Sequence, residues 1–447
     1  MVFEQMKAAL IAAAEAEGVA QYEIYYQVGE SISAETLKDE INAFSSGVGG
    51  GICFRCIVDG KMGYASSQLM TEDAMQELVK NAVSNAACID SEDEVFIFEG
   101  SPAYAKIDEE DLKLTDASVI RDTVLRLQRE IYAQSDKVSD GTQAMVMSSL
   151  SEVHLYNSKG LSLSYKSGMS GVYATAVVRD GEEAQEGSDF AVGTDWDCVC
   201  DLPADIVREA FEKIGASVAP SGKYNIVFDG KQFRGFLSAF SSAFSAKSAQ
   251  LGLSLLAGKE GEQVAAPFVT VIDDPMRKDA PIKAPFDGEG VATARRAIIE
   301  NGVLKTLLYD LTTAKKAGVA STGNGQKGSY ASPVAIAPYN FGLMAGEDDL
   351  DALFQKAGEG IYITECKGFH AGADAVTGDF SIESAGFMIR DGKRAEPIKS
   401  FTVAGNFFDL LKQIDALGNE VRWGFPGGNT VFGSPDVLVR DMSVAGK

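Results

Sequence analysis

The segment TGDFSIESAGFMIRDGK at residues 377–393, followed by FTVAGNFFDLLKQIDALGNEV at 401–421, has the clearest strand and helix pattern of this chain. Its apolar residues recur in a pattern that predicts strands at about 386–390 and 396–404, and then a helix at about 406–417. Outward from this segment, a helix is predicted at about 230–248, and short apolar runs predict strands at 224–228, 267–273, 296–309, 333–338 and 360–366. Many short strands with few helices are typical of a large antiparallel sheet or a barrel-like core.

The N-terminal half has longer elements. Helical spacing predicts helices at about 3–17, 72–87, 115–135 and 203–216, whereas alternation predicts a strand at 22–28 and a β-meander at 138–197. Asp59-Gly60, Asn157–Gly160 and Arg179–Gly181 are turn sequences. Pro220–Gly222 is typical of a linker. We therefore predict an α+β chain, with an N-terminal α/β domain that includes the meander at 1–220 and a C-terminal β-rich, barrel-like domain at 221–447.

Charge and hydropathy exclude two classes of function. The formal net charge is −24, whereas nucleic-acid binding depends on cationic side chains that neutralise phosphate. No apolar run approaches the about 20 residues that a membrane helix needs. The N-terminal segment carries Glu4, Glu15 and Glu17, which are untypical of a signal peptide. We expect a cytoplasmic protein that contacts neither nucleic acid nor membrane.

The six cysteines do not form a metal or disulfide framework. Cys53 and Cys56 have redox-motif spacing, but they lie an odd number of residues apart in a predicted strand and so point to opposite faces. No second pair completes four ligands. Cys198 and Cys200 share a face and pair only with distortion. We expect all six thiols to be reduced.

Three blocks of the C-terminal half carry a family resemblance: Val269–Pro275 (VTVIDDP), Thr377–Lys393 and Phe401–Val421. They resemble the TldD/TldE (PmbA) metallopeptidase family, whose older label is modulator of DNA gyrase, and within it the TldE side. The resemblance covers nearly the whole chain and is most specific over 252–446.

TldD-type members of that family carry a zinc helix with the pattern His-Glu-x-x-x-His. Counting back from the family-like block at Gly252–Val264 places the two histidines at Leu237 and Ser242, and the glutamate at Ser238. A catalytic zinc needs imidazoles on one helix face and a carboxylate that takes a proton from the bound water. Leucine and serine supply neither group.

The remaining zinc donors are missing as well. The stretch Trp423–Thr430, where the family places a cysteine ligand, has no cysteine, histidine or carboxylate. The only two histidines are His154 in a predicted strand, where we expect a structural role, and His370. We therefore predict neither a metal site nor a catalytic residue in this chain.

The predicted helix at 230–248 has an apolar stripe of Phe233, Phe236, Leu237, Phe240 and Phe244. Such a stripe is typical of core packing, and the alternative is a wall, including Phe240, that faces a partner or a bound peptide. Asp273 and Asp274 are adjacent, so in a strand they point to opposite faces and cannot share one proton.

The resemblance suggests where a peptide would bind. It implies that the strands around Thr377, Gly378, Asp379 and Phe380, and those around Gly405 and Asn406, help to line a peptide cleft with recognition by strand addition. The alternative from the residues themselves is a tight sheet corner. His370 lies beside this region and is the best remaining acid–base candidate.

The resemblance also implies an assembly. We expect a noncatalytic TldE/PmbA-like subunit that forms a heterodimer with a TldD-like chain, which would supply the zinc for cleaving unfolded or leader peptides. This chain itself would carry no cofactor. The alternative is a homodimeric protein that binds peptides or proteins without a peptidase role.

Overall fold

The computed structural model describes residues 1–38, 40–90, 93–109, 112–193 and 201–447, so that Cys198 and Cys200 lie outside the described residues. The N-terminal half is one antiparallel sheet of six long strands in the order β3-β2-β1-β4-β5-β6. These strands are β1 Tyr22–Leu37, β2 Glu40–Val58, β3 Lys61–Ser67, β4 Gln143–Asn157, β5 Ser162–Asp180 and β6 Glu183–Val192.

Four helices cover the two ends of this sheet. They are α1 Phe3–Ala16, α2 Glu72–Ala86, α3 Ala117–Ala133 and α4 Leu202–Glu212. Helices α1 and α2 pack over one end, and α3 and α4 pack over the other, each pair with its own apolar core. The α2 helix begins at the predicted residue 72, and the preceding Thr71 caps it by accepting a hydrogen bond from the Ala74 amide.

The predicted turns are confirmed, the last of them in part. Asp59 and Gly60 have φ values of 51° and 76°, the conformation that a two-residue turn needs in order to match the twist of its strands. The predicted turn at Asn157–Gly160 leads from β4 into β5, whereas the turn after β5 begins only at Gly181, because Arg179 and Asp180 still pair with β6. Turn chemistry therefore sets the register of this half.

The C-terminal half contains a closed barrel of five strands, in the order β21-β8-β15-β16-β17 with β17 pairing back to β21. A second sheet has the order β11-β10-β9-β14-β20-β19. The strands are β7 Ser217–Val218, β8 Gly222–Phe228, β9 Val271–Asp273, β10 Arg296–Glu300, β11 Val303–Leu304, β12 Gly325–Lys327, β13 Val334–Ile336, β14 Asn340–Leu343, β15 Gly360–Lys367, β16 Asp379–Arg390, β17 Lys393–Asn406, β18 Ile414–Leu417, β19 Arg422–Trp423, β20 Val431–Ser434 and β21 Val437–Ala445. This architecture confirms the predicted α+β fold with a barrel-like C-terminal half.

The two helices predicted for this half, at 230–248 and 406–417, are shorter in the structure, which also contains further short helices. The helices of this half are α5 Gly230–Ala239, α6 Ala246–Gln250, α7 Leu311–Ala317, α8 Leu350–Ala357, α9 Phe369–Gly372 and α10 Phe407–Gln413, with a 3₁₀ turn at Ser241–Phe244. The helix predicted at 230–248 is broken because the Leu308 amide donates to the Phe244 carbonyl and the Ala246 amide donates to the Leu308 carbonyl. The last helix ends at Gln413 because Ile414–Leu417 pairs with β21.

No helix among the described residues combines the length and the apolar character that crossing a membrane requires.

Candidate functional site

Helix α5 is the centre of the candidate site. It begins at Asp229, whose carboxylate accepts a hydrogen bond from the Lys231 amide at 2.7 Å and thereby caps the helix. The same carboxylate accepts from the Tyr362 hydroxyl at 2.8 Å and from the Arg422 guanidinium at 2.7 Å. One capping side chain thus ties α5 to the barrel strand β15 and to β19.

The outer face of α5, the loop after β19 and the N-terminal sheet enclose a cleft, which we call the central cleft. Its volume is about 570 Å³. It is lined by Met145, Met147, Tyr173, Phe190, Lys231, Arg234, Gly235, Ser238, Gly424, Phe425 and Phe432. Apolar and aromatic side chains with a few polar groups are typical of a ligand-binding cleft.

Two cations of the central cleft are already engaged. The Arg234 guanidinium lies 5.3 Å from the centre of the Phe190 ring and donates to the Trp423 carbonyl at 2.9 Å, and burial lowers the pKa of Arg234. Lys231 donates to the Asp189 carboxylate at 2.5 Å. These contacts join the two halves of the chain across the cleft. The apolar side chains that line the cleft remain accessible to a ligand.

The positions that correspond to the zinc helix do not fit a zinc ion. Leu237 is fully buried in the barrel core, Ser238 lines the central cleft, and Ser242 is exposed beyond the end of α5. None of the residues that line the cleft is a histidine, a cysteine or a carboxylate. Within the described part of the chain, no cluster of three or more such residues is arranged to hold a metal ion.

Phe240 and Phe380 lie in the barrel core rather than on a cleft wall. Phe240 is 0% exposed, and its ring stacks on Phe407 with centroids 4.5 Å apart. Phe380 is 4% exposed and packs edge-to-face on Phe236. Neither side chain presents surface to a partner or to a bound peptide in the folded chain, so the core-packing interpretation of the apolar stripe is the one that fits Phe240.

The candidates around Thr377 and Asn406 form a tight sheet corner. The Asn406 amide donates to the Thr377 carbonyl and to the Asp379 carboxylate, both at 2.9 Å, and its oxygen accepts from the Phe408 amide and caps α10. Gly378 has a φ of 83°, and a β-carbon there would lie 2.6 Å from the Phe408 ring. The packing of this corner accounts for the glycine and asparagine of the family-like motif. A role of these residues in peptide binding stays a prediction.

Asp379 and Gly405 lie at the exposed end of the same β16–β17 pair, with Asp379 opposite Asn406 and Phe380 opposite Gly405. His370 is exposed on the short helix α9. His154 packs against the Phe3 ring at 4.4 Å and contacts Glu152 at 2.6 Å, which fits its predicted structural role. The two histidines therefore lie on different halves of the molecule.

Asp273 and Asp274 have separate partners, as their adjacency predicted. Asp273 is buried and accepts from the Asn324 side chain and from the Tyr339 amide, both at 2.8 Å. Burial raises the pKa of Asp273 to about 6. Asp274 accepts from the Met276 amide at 3.2 Å and closes the turn after β9.

Sequence reasoning missed a buried cluster of charges between the two halves, which we call the interdomain charge cluster. It consists of Glu23, Arg55, Asp287, Glu289 and Lys327. The Arg55 guanidinium pairs with Glu23 at 2.7 Å and lies 3.8 Å from Glu289. Lys327 lies over the rings of Tyr25 and Tyr64, with its ammonium 5.2 and 5.0 Å from their centroids.

Burial perturbs the members of the interdomain charge cluster in opposite ways. It raises the pKa values of Glu23, Asp287 and Glu289, and it lowers the pKa of Lys327. Burial also disfavours the charged form of Arg55, but the attraction to Glu23 and Glu289 together is stronger, and the pKa of Arg55 is raised. A single charge inside each of the apolar runs YEIYY and CFRCI was the available signal.

The thiols of Cys53 and Cys56 are free and buried in different apolar clusters. This confirms that they point to opposite faces of β2. Burial raises the pKa of Cys56 to about 11. Because the two thiols lie on opposite faces and the Cys56 thiol stays protonated, this pair does not suit redox chemistry.

Comparison with known proteins identifies the family. A sequence model described as the PmbA/TldA metallopeptidase C-terminal domain matches residues 221–446, and models of domain 1 and of the central domain match 22–86 and 109–218. An uncharacterized protein of Methanocaldococcus jannaschii is 29% identical over 416 residues, which cover 93% of this chain and 95% of that protein.

Solved structures share the fold along the whole chain. A Thermotoga maritima protein, named for a proposed role as a modulator of a DNA gyrase, has a TM-score of 0.88 at 28% identity and covers 99% of this chain and 100% of its own. TldE from Thermococcus kodakarensis has a TM-score of 0.88 at 23% identity and covers 98% and 99%. At 23% identity the second likeness shows the shared fold only.

Proposed function

The chain belongs to the PmbA/TldD metallopeptidase family, and on that premise we propose that it is a noncatalytic, TldE-like subunit of a zinc metallopeptidase complex. In this proposal a TldD-like partner holds the zinc and its ligands. The complex cleaves unfolded peptides, including leader peptides, and this chain helps to hold them. We place the complex in the cytoplasm, in keeping with the free thiols of the described cysteines.

The observation that carries the proposal is the chemistry of the central cleft. Water activation by zinc needs nitrogen, sulfur or carboxylate ligands and an adjacent base. The cleft presents Ser238 at the position where the resemblance places the family's glutamate, and Gly424 and Phe425 from the stretch where it places the cysteine, among aromatic and methionine side chains. We therefore assign it a binding role and derive no chemical step from it.

The shape and polarity of the central cleft suit an extended peptide. Methionine and aromatic side chains adapt to varied apolar residues, which fits a subunit that handles unfolded chains without strict sequence preference. The cations that remain near the cleft, Lys231 and Arg234, are already paired. We therefore expect affinity to depend on apolar side chains of the peptide more than on its charge.

A link to DNA gyrase is not part of this proposal. The net charge of −24 disfavours any contact with DNA.

The decisive experiment combines metal analysis with reconstitution. We would measure zinc in the purified chain after dialysis against a weak chelator, then assay cleavage of an unstructured fluorogenic peptide by the chain, by a TldD-like chain that carries His-Glu-x-x-x-His, and by their mixture. We expect well below one zinc per chain, no cleavage by this chain alone, and cleavage by the mixture that chelator abolishes. Chelator-resistant cleavage by the lone chain would sink the proposal.

A matched pair of variants tests the central cleft. Ser238→Trp places an indole inside the cleft, whereas Ser242→Trp adds the same group at an exposed position outside it. We expect Ser238→Trp to weaken binding of a fluorescein-labelled unstructured peptide at least tenfold, as measured by anisotropy, and Ser242→Trp to leave it within twofold. If the two variants changed the affinity equally, the peptide would not bind in the central cleft.

The assay of the mixture also distinguishes the subunit role from the main alternative. A homodimeric binding protein without a peptidase role would bind the peptide but leave the activity of the TldD-like chain unchanged or lower it by sequestration. An increase in that activity on mixing supports the subunit role.

A further inference from the structure

A second cavity lies between the two halves of the chain, and we call it the interdomain cavity. Its volume is about 1360 Å³, which exceeds the about 300–1,000 Å³ of ordinary ligand pockets. Strands β2 and β3 and the segment 93–96 line it from the N-terminal half, and helices α6 and α7 with strands β10, β12 and β13 line it from the C-terminal half. It shares no lining residue with the central cleft and is therefore a separate site.

The exposure of its lysines and glutamates distinguishes a closed end of this cavity from its mouth. At the closed end, Glu289 and Lys327 are 6% and 5% exposed. At the mouth, the side chains of Lys305 and Lys316 are 50% and 47% exposed. The interdomain charge cluster thus forms the closed end, and a ligand that enters past the surface lysines reaches it.

The charge of the interdomain cavity is opposite to that of the chain. Six basic and four acidic side chains line it, whereas the whole chain has 40 basic and 64 acidic residues. Burial raises the pKa of Glu289, so this residue carries less negative charge near neutral pH than an exposed glutamate does. A cavity that is positive within a strongly negative chain attracts small anions.

Lys327 is a buried cation without a counterion. Its ammonium donates to the Ser332 carbonyl at 2.8 Å and lies over the rings of Tyr25 and Tyr64, but no carboxylate of the described residues lies within 4.0 Å of it. The more distant carboxylates of the cluster attract the ammonium, yet burial dominates and lowers the pKa of Lys327. Buried charges in proteins are normally paired, so this ammonium is available to the charge of a ligand.

Arg296 is a second cation of the interdomain cavity that lacks partners. Its Nε is buried and has no hydrogen-bond partner among the described residues. The carboxylate of Asp273 attracts it, but the two groups are too far apart to form an ion pair of 4.0 Å or less. The wall of the cavity therefore adds another positive charge that no carboxylate of the described chain neutralises by direct contact.

We propose that the interdomain cavity binds a small organic carboxylate with an apolar body, and that Lys327 is the counterion of the carboxylate. Met62, Phe96 and Leu307 line the cavity as well and would contact the apolar body. Such a ligand contacts both halves of the chain, so its binding stabilises their association. The proposal is independent of the peptidase role and holds whether or not a catalytic partner exists.

The charges at the closed end favour a carboxylate over a phosphate group. A phosphate monoester carries up to about two negative charges and would bring both of them close to Glu23 and Glu289. A carboxylate carries one charge, which the single ammonium of Lys327 neutralises.

Isothermal titration calorimetry with phenylbutyrate tests the proposal. Phenylbutyramide and phenylbutylamine have the same apolar body with a neutral and a cationic head group. We expect the carboxylate to bind at least tenfold more tightly than the amide, and the amine not to bind. Absence of phenylbutyrate binding, equal affinities for the acid and the amide, or tighter binding of inorganic phosphate than of phenylbutyrate would each overturn the proposal.

Variants locate the bound carboxylate. Lys327→Met is expected to weaken phenylbutyrate binding at least tenfold, while the melting temperature of the ligand-free chain stays the same or rises, because a buried charge without a counterion has been removed. Saturating phenylbutyrate should raise the melting temperature of the unsubstituted chain but not that of Lys327→Met. A lysine with a structural role alone would give the opposite result, a lower melting temperature with unchanged affinity.

Three further variants complete the test. Arg296→Met, on the cavity wall, is expected to weaken binding severalfold and keeps the proposal testable if Lys327→Met does not fold. Lys412→Met is the matched control, since Lys412 is exposed on α10 and does not line the cavity, and it should leave the affinity unchanged. Phe425→Ala, in the central cleft, should also leave it unchanged, and a loss of affinity there with none in Lys327→Met or Arg296→Met would refute the assignment to the interdomain cavity.

Discussion

Truncation of Phe240 separates packing from partner binding in helix α5. Phe240 is 0% exposed, stacks on Phe407 with an interplanar angle of 6°, and has Phe380 against its edge. Removing a fully buried phenyl ring costs about 3–5 kcal/mol of unfolding free energy through lost transfer energy and the cavity left behind. With a urea m-value of about 2–3 kcal/mol/M, Phe240→Ala should lower the unfolding midpoint by about 1.5 M.

The fluorescence of Trp423 provides the assay. The chain has two tryptophans, Trp196 and Trp423, so a Trp196→Phe background leaves a single reporter in the C-terminal half. Trp423 packs under the Arg277 guanidinium at 4.0 Å, and urea unfolding should change its emission. The matched control is Phe425→Ala, because Phe425 lies in the central cleft and makes one edge-to-face contact with Phe190, worth about 1 kcal/mol.

The two variants should behave in opposite ways. Phe240→Ala should lose stability and keep peptide affinity at urea-free conditions, whereas Phe425→Ala should keep most of its stability and lose peptide affinity. A stability loss below about 1 kcal/mol for Phe240→Ala, together with weaker partner or peptide binding, would refute the assignment of this side chain to the core.

Three further predictions concern the interdomain charge cluster and the cysteine thiols. Burial raises the pKa of Glu289, so the folded chain binds this proton more tightly than the unfolded chain does. The free energy of unfolding should therefore fall as the pH rises above about 4.5. Urea titrations at a series of pH values should show this decline, and Glu289→Gln should make it shallower. Arg55→Met leaves Glu23 buried without its counterion and should cost about 3–5 kcal/mol in calorimetry, part of which a second change, Glu23→Gln, should restore. The exposed thiol of Cys88 should react with iodoacetamide in the native state, as seen by peptide mass mapping, whereas that of the buried Cys56 should react only after unfolding.

Local chemistry made much of the fold predictable. The Asp59-Gly60 turn and the Thr71 cap act within four residues, so the sequence pattern locates them closely. Elsewhere the prediction was wrong because residues remote in sequence compete for the backbone hydrogen bonds. The helix predicted to reach residue 248 breaks where Leu308 takes the backbone hydrogen bonds, and strand β21, which closes the barrel, was not predicted at all because nothing local marks its pairing with β8 and β17.

The candidate site was predictable in part. The resemblance located helix α5 and the loop after β19, and the structure brings Ser238 and Gly424 to one cleft. The aromatic wall from Phe190 and the methionines of β4 was not predictable, because it depends on how the two halves dock. The same limit applies to the interdomain charge cluster, whose members Arg55 and Glu289 are remote in sequence.

The interdomain charge cluster has a consequence for synthesis on the ribosome. Arg55 and Glu23 emerge early and can pair at once, but Glu289 and Lys327 are added more than two hundred residues later, which takes roughly ten to fifty seconds at about 5–20 residues per second. In the last part of that interval, after β6 has completed the sheet at Val192, the sheet face around Tyr25 and Tyr64 is still uncovered. The nascent N-terminal half is thus a natural client for a chaperone, which must release that face when residue 327 leaves the exit tunnel.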